Sequence, residues 1–442
     1  MMAGERLENC VAVLQAGGKG SRMLPLTGDK IPKPLLKLGG RPMLEWQVLN
    51  LKKYGIKEFV IIVGHLGEMI EEYFGDGSKW EVSIRFIKED TPLGSGGALS
   101  YLRGKFTDKH IILTLGDVMF DMDMPRLIRY HEEKCALATL VVHPNSHPHD
   151  SDLVVLDDKG CVAKFDAKTN VRDYFYDNCV NAGVYVLELE VLEDLEEVRK
   201  RDLEKEILLP LLEKGRLYGY RTTEYLKDAG TVERFAAVEK ELSKDLWARR
   251  NLENPQRCVF LDRDGTLNCY EGLISSPEQL ELEDGAAEAV QLLNSSGWLA
   301  MVVTNQPVVA RGMCSIEEVK RIHQKLGMLL GREGAYLDDI AFCPHHPDKG
   351  YPGENSLYKI ECSCRKPKTG MIDELVERHN IDRSHSWLIG DTTRDIECGR
   401  RAGLKTVLVM TGEAGKDGKF KAQPDFVAEN LESAVKMILD RE

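Results

Sequence analysis

Short β-branched and aliphatic runs alternate with amphipathic stretches along the first half of the chain, at residues 11–14, 59–63, 84–87, 111–115 and 137–142. Runs of this length, separated by segments of helical period, predict the strands of an α/β sheet. A less regular group follows at 153–156, 162–165, 184–187 and 217–220, the pattern of a lobe that covers a substrate. Residues 232–250 have the charged and apolar spacing of a helix, and the segment 251–255 stops it, because Pro255 disfavours a helical Asn254. The pattern then restarts, with a strand at 258–261, a helix at 284–294 and a strand at 299–303. Ser315, with Glu318 in place for a capping box, opens the next helix, and strands at 387–389 and 406–409 follow. Two α/β domains are predicted, 1–242 and 257–442, joined by a linker at 243–256.

Length supports that division, since 442 residues exceed what one compact core usually holds. A net charge of −13 speaks against a nucleic-acid or membrane-surface partner, which would call for a basic face. No apolar run reaches bilayer length, and residues 1–10 lack the core of an export signal, so a soluble, cytoplasmic protein is expected. Eleven cysteines in such a chain read as reduced thiols rather than a disulfide framework. The oligomeric state is left open, a homo-oligomer included.

The candidate chemistry begins after the first strand, at Gln15-Ala16-Gly17-Gly18-Lys19-Gly20-Ser21-Arg22. Gly17, Gly18 and Gly20 let backbone N–H groups approach a phosphate chain. The loop matches neither the dinucleotide fingerprint, whose third glycine is Met23 here, nor the Walker pattern, because Gly20 follows Lys19. Its continuation through Arg22, Pro25, Leu26 and Thr27 to Pro32-Lys33-Pro34 resembles the sugar-1-phosphate nucleotidyltransferase family. The resemblance runs to about residue 242, through segment 89–97 with Gly94, Gly116-Asp117, Asn181-Ala182-Gly183 and Asp228-Ala229-Gly230-Thr231. It implies a Rossmann-like domain with a mixed sheet. In that domain Arg22 and Lys33 face a nucleoside triphosphate, Asp117 and Asp228 hold Mg²⁺, and Gly94, Asn181 and Lys168 serve the nucleotide and sugar. The implied reaction is in-line attack of a sugar 1-phosphate on the α-phosphorus, releasing pyrophosphate without a protein nucleophile. One departure stands out: Phe165-Asp166-Ala167-Lys168 lacks the Glu that many relatives place before the Lys. The tract 143–150 carries three histidines among two prolines and Asp150 and reads as a solvated loop rather than a metal site.

In the second half, the strand at 258–261 ends in Asp262-Arg263-Asp264-Gly265-Thr266. This resembles the first signature of the haloacid dehalogenase (HAD) superfamily. Two carboxylates at this spacing suit a nucleophile, Asp262, and a general acid and base, Asp264. Thr304-Asn305, Arg365-Lys366-Pro367 and Gly390-Asp391 follow in family order. The resemblance implies a doubly wound parallel sheet in which Thr304, Asn305, Arg365 and Lys366 bind the phosphoryl group. Asp262, Asp264 and Asp391 are the implied Mg²⁺ ligands, and Asp395 braces or caps the site.

Cys343-Pro344-His345 and Cys362-Ser363-Cys364 supply three thiolates and an imidazole, a closed tetrahedral set for structural Zn²⁺. The arrangement resembles the zinc-containing HAD phosphatases typified by heptose 1,7-bisphosphate 7-phosphatase and histidinol-phosphate phosphatase. The long insert between His345 and Cys362 favours the heptose type, while Pro307-Val308 and Thr392 depart from the subgroup's usual residues. Taken together, the resemblances imply a phosphatase that removes the 7-phosphate of a heptose 1,7-bisphosphate. A transferase, with GTP as the expected donor, then activates the heptose 1-phosphate. Another sugar phosphate, histidinol phosphate, or a sugar-nucleotide sensor without activity are the alternative readings.

Overall fold

The computed structural model describes residues 6–270 and 272–441; the start of the chain, where no export signal is expected, lies partly outside them. The chain forms two compact units. The first comprises residues 1–143, 154–166 and 181–251; the second comprises 144–153, 167–180 and 252–442. Two stretches of the expected N-terminal domain thus cluster with the C-terminal unit. The expected helix across 232–250 is two helices, Val232–Ser243 and Leu246–Arg249, because Asp245 takes a left-handed backbone (φ 56°) that ends the first.

In the first unit, strands β1 (Cys10–Ala16), β2 (Glu58–Val63), β3 (Ser83–Lys88) and β4 (His110–Leu115) form the parallel half of a nine-stranded sheet. A short strand β5 (Val118–Asp121) lies outside it, and β6 (Ala138–His143), β7 (Leu153–Leu156), β8 (Val162–Asp166), β9 (Val180–Leu187) and β10 (Leu217–Arg221) complete it. The main path runs β8-β7-β9-β4-β1-β2-β3, with β9 antiparallel to β4, so the sheet is mixed as expected. The interior of β1, Val11 to Leu14, is fully buried, which explains its unbroken apolar run. Strand β11 (Tyr225–Asp228) pairs antiparallel with β5 in a separate ribbon. That ribbon and its register were not foreseen.

The second unit is a six-stranded, all-parallel sheet. Its strands are β12 (Cys258–Leu261), β13 (Leu299–Asn305), β14 (Asp339–Cys343), β15 (Trp387–Gly390), β16 (Lys405–Val409) and β17 (Phe426–Ala428). The spatial order β14-β13-β12-β15-β16-β17 reverses direction beside β12, and in such sheets ligands bind at the carboxyl ends of the strands flanking that reversal. The helix expected at 284–294 is shifted to Ala286–Ser296, because Gly285, at φ 79°, delays its start. Ser315 does cap the next helix, Ile316–Arg332, its hydroxyl accepting from the Glu318 N–H at 3.1 Å. The histidine tract is less solvated than expected: Pro148 is buried, and a Cβ on Gly331 of this helix would meet its ring. Among the described residues, no helix is long and apolar enough to cross a membrane.

Candidate active sites and metal centre

In the first unit the glycine loop leaves the carboxyl end of β1 between β2 and β4. Gly17 is buried, and a side chain there would collide with the Glu89 carboxylate. Gly18 is exposed, with no heavy atom within 4 Å of a would-be Cβ, so its backbone is open to a ligand. Gly20 has φ 61° and lies over the Lys33 side chain. Gly94 flanks the loop, its carbonyl accepting from Gln15 Nε2 at 3.1 Å. Burial pushes the Glu89 carboxyl up from its usual range, and its Oε1 accepts from the Leu93 N–H at 3.2 Å.

The β5–β11 ribbon brings the two carboxylates together: Asp228 pairs in register with Val118, one residue beyond Asp117, and Asp117 O accepts from the Ala229 N–H at 2.9 Å. Each carboxylate holds a cation. Lys33 donates to Asp117, and Arg234 donates to Asp228. A Cβ on Gly230 would sit 2.6 Å from Asp228 Oδ1, 3.0 Å from Lys33 Nζ and 3.2 Å from Arg22 Nη2, so glycine there is what lets these three groups converge. Arg234 was missed in the sequence. Its signal was its place in the first turn of the helix that Thr231 caps, directly after the Asp-Ala-Gly-Thr segment.

Asn181 donates to Tyr185 Oη at 2.9 Å and to the Glu204 carboxylate, a second group the sequence did not reveal. Lys168 is not part of the first unit. It lies in the second unit, exposed, with Nζ 3.9 Å from Asp150.

In the second unit Asp262, Thr304-Asn305 and Asp391 stand at or just past the carboxyl ends of the neighbouring strands β12, β13 and β15. Lys366 Nζ lies 2.9 Å from Asp262 Oδ1 and 2.6 Å from Asp395 Oδ1, with its side chain 2% exposed. Burial lowers the affinity of Lys366 for its proton, but Asp262 and Asp395 outweigh it and hold the ammonium charged above its usual range. Burial, then Asp395, pushes Asp262 up to about 6; burial, then Asp262 and Asp395, pushes Asp391 up to about 8. For Asp395, burial is outweighed by Lys366 and the Thr392 hydrogen bonds, so its carboxyl is lowered.

Asp262, Asp391 and Asp395 offer carboxylate oxygens within 4.8 Å of one another, and Asp391 Oδ1 is buried without a hydrogen-bond partner. Packed carboxylates, two of them (Asp262 and Asp391) with raised proton affinity, and an orphaned oxygen fit a hard divalent cation. The side chain of Asp264 is not part of this group. It accepts from Arg263 Nη2 at 2.8 Å, Gln306 Nε2 at 2.9 Å and Asn268 Nδ2 at 3.2 Å, and Asp395 stands in the cluster instead. Asp395 was legible as the third residue of the helix that Thr392 caps. Thr304 Oγ1 accepts from Gln306 Nε2 at 2.9 Å. Asn305 clasps the backbone of Lys366 at both ends, donating to its carbonyl at 3.1 Å and accepting from its N–H at 3.0 Å.

Cys343 closes β14, a strand the sequence reading did not include, and meets Cys362 and Cys364 at 3.6 and 3.1 Å between sulfurs. Cys362 and Cys364 are 3.3 Å apart, and His345 Nδ1 lies 3.3 Å from Cys364 Sγ and 3.8 Å from Cys343 Sγ. These separations are too long for a sulfur–sulfur bond and close to the ~3.4–3.8 Å edges of a tetrahedral Zn²⁺ sphere with ligands at ~2.0–2.3 Å. Arg365 Nη1 donates to the His345 carbonyl at 3.0 Å, which ties the Arg365-Lys366 loop to this cluster.

Comparison with known proteins matches residues 11–245 to the family described as "Nucleotidyl transferase" and residues 363–434 to one described as HAD-hydrolase-like. The D-glycero-beta-D-manno-heptose-1,7-bisphosphate 7-phosphatase of Pasteurella multocida is 38% identical over 185 residues, 41% of this chain and 97% of that protein. The D-glycero-D-manno-heptose-1,7-bisphosphate 7-phosphatase of Thermosynechococcus vestitus is 39% identical over 191 residues, 42% of this chain and 96% of that protein. The mannose-1-phosphate guanylyltransferase of Mycobacterium tuberculosis is 32% identical over 237 residues, 53% of this chain and 65% of that protein. With a glycine loop and carboxylate pair in one unit and an aspartate–lysine cluster in the other, the chain belongs to the nucleotidyl transferase family in its N-terminal half and to the HAD-like phosphatases in its C-terminal half.

Proposed function

We propose that the chain is a bifunctional enzyme acting twice on one sugar: it removes the 7-phosphate of D-glycero-D-manno-heptose 1,7-bisphosphate, then transfers GMP from GTP to the heptose 1-phosphate. The observation that carries this reading is the Asp262–Lys366–Asp395–Asp391 cluster beside a Cys₃His set, in a chain that spans nearly the whole length of heptose bisphosphate 7-phosphatases. The guanylyl donor rests on similarity to the mannose-1-phosphate guanylyltransferase.

In the phosphatase step Asp262 Oδ attacks phosphorus, and Lys366, held charged by Asp262 and Asp395 despite its burial, neutralises the phosphoryl oxygens. Asp264 gives a proton to the leaving sugar oxygen and afterwards takes one from water; Arg263 and Gln306 orient its carboxyl. Asn305 keeps the Lys366 backbone in place. In the transfer step the sugar phosphate oxygen attacks the α-phosphorus. The Gly17–Gly20 backbone, Arg22 and Lys33 bind the triphosphate, while Asn181 and Glu204 serve the sugar. Asp262, Asp391 and Asp395 would hold Mg²⁺ in one unit and Asp117 and Asp228 in the other, where it would neutralise phosphate charge when bound. The cysteines 343, 362 and 364 with His345 would hold Zn²⁺ as a structural tie.

Supplied with heptose 1,7-bisphosphate, GTP and Mg²⁺, the protein should release phosphate first, then pyrophosphate and GDP-heptose. No phosphate from the bisphosphate sinks the reading. A hexose reading draws on the mannose-1-phosphate relative; faster pyrophosphate release from mannose 1-phosphate than from heptose 1-phosphate would establish it instead.

A further inference from the structure

A second cluster of metal-grade side chains lies in the first unit, at the far end of β4 from Asp117. His110 opens β4, and the β4–β9 register, in which Leu187 faces Ile111, sets Glu188 opposite His110. His131 sits in the last turn of the helix Met124–Glu133. The helix end is fastened to the sheet, the Ala136 N–H donating to the His131 carbonyl at 3.2 Å and the Glu188 N–H to the Leu137 carbonyl at 2.9 Å. Three side chains from three elements therefore meet, with their ligand atoms within 4.8 Å of one another.

Glu188 Oε1 lies 2.8 Å from His110 Nδ1 and 3.0 Å from His131 Nε2. The outer nitrogen of each ring has its own partner: His110 Nε2 is 3.2 Å from Glu132 Oε1, and His131 Nδ1 is 2.8 Å from Thr139 Oγ1. A neutral imidazole carries one N–H, which the Glu132 carboxylate can accept from His110 and the Thr139 hydroxyl can accept from His131. In that tautomer the inner nitrogens turn lone pairs toward Glu188, and a cation between them would be held by all three side chains. His110 Nδ1 is buried and, despite its 2.8 Å approach to Glu188, lies out of line for a hydrogen bond. An inner nitrogen aimed at the ion with its outer nitrogen on a carboxylate or hydroxyl is how histidine ligands are oriented around metals.

We infer that His110, His131 and Glu188 form a second transition-metal site, of two imidazole nitrogens and one carboxylate oxygen, suited to Zn²⁺. His131 is fully buried, while His110 and Glu188 reach the surface with side chains 16% and 31% exposed, which leaves one coordination position for water. The site stands at the start of β4 and Asp117 just past its end, roughly 20 Å away at ~3.3 Å per residue. The ion therefore takes no part in transfer; it fastens the helix end to strands β4 and β9.

The test uses the full chain, reduced, equilibrated with Zn²⁺ or Co²⁺ in excess Mg²⁺ so that the carboxylate sites of both catalytic clusters are filled. Two equivalents are expected, and Cys364→Ser should keep one, whose Co²⁺ spectrum lacks thiolate charge transfer. His110→Ala and Glu188→Gln, the two less buried changes, should each keep only the thiolate-ligated equivalent and retain nucleotidyl transfer, which shows that they fold. Glu132→Gln, which touches the ion only through His110, should weaken the second equivalent by about 10–100-fold. The inference is overturned if His110→Ala or Glu188→Gln binds as much metal as the unmodified chain. It is equally overturned if the unmodified chain binds no ion beyond the one that Cys364→Ser removes; His110, Glu188 and His131 would then share protons only.

Discussion

The two carboxylate clusters proposed to face phosphate match their charges in opposite ways. In the first unit each carboxylate keeps a private cation in a half-open setting: the Asp117 and Asp228 side chains are 25% and 39% exposed. In the second, one buried lysine serves two aspartates, and a third, Asp391, has an oxygen with no hydrogen-bond partner. Exposed pairs are screened and contribute little to stability, so the transferase site can rearrange around substrate at small cost. Buried charges lose water and must be matched in place, so the phosphatase site is rigid and sensitive to the removal of any member.

The largest expected effect breaks the comparison on its buried side. Asp262→Asn should reduce phosphate release from the bisphosphate on the order of 10⁴-fold while conversion of heptose 1-phosphate continues. Equal loss of both conversions by a folded protein would remove the nucleophile assignment. Lys366→Met should also damage the fold, destabilising the second unit by about 3–5 kcal/mol, because it strands Asp262 and Asp395 without their cation. Denaturant unfolding followed by the tryptophans of that unit would read it, and an unchanged midpoint would show that the pair is not matched as described.

On the exposed side, Arg234→Ala should lower nucleotidyl transfer on the order of 10–100-fold with less than about 1 kcal/mol of stability lost. Wild-type pyrophosphate release by this variant would reduce Arg234 to a surface partner of Asp228. The gentlest probe is pH. Asp262 and Asp391 hold protons up to about 6 and about 8, and a divalent cation must displace them, so its affinity for the second unit should rise from pH 6 to 8 with proton release. Calorimetry in buffers of different ionisation enthalpy would detect the protons; a pH-independent affinity would contradict the raised values.

Much of this was readable in the chain because it is local. A strand running into Asp-x-Asp-Gly-Thr, a glycine loop with a trailing arginine, and cysteines two apart are contiguous patterns, and the structure places Asp262, Gly17, Gly20 and the Cys₃His set where such patterns put them. What escaped depends on pairing across the chain. The β5–β11 ribbon is short, and only its register shows that Asp117 and Asp228 meet. The half-buried strand β14 has no run of β-branched residues to announce it. Asp264 and Lys168 depend on partners that a motif does not name: the first is held by Arg263 and Gln306, and the second faces Asp150. The break at Asp245 turns on a single backbone angle that no periodicity records.

The crowding around Asp391 has a consequence for how this protein can vary. Gly265 and Gly412 come from distant parts of the chain, both at positive φ, and a Cβ on either would run into Asp391 Oδ2. Neither carries a reacting atom. In a saturation-mutagenesis map of the phosphatase half these two positions should nonetheless be as intolerant as the aspartate itself, since even alanine at either one would evict its carboxylate.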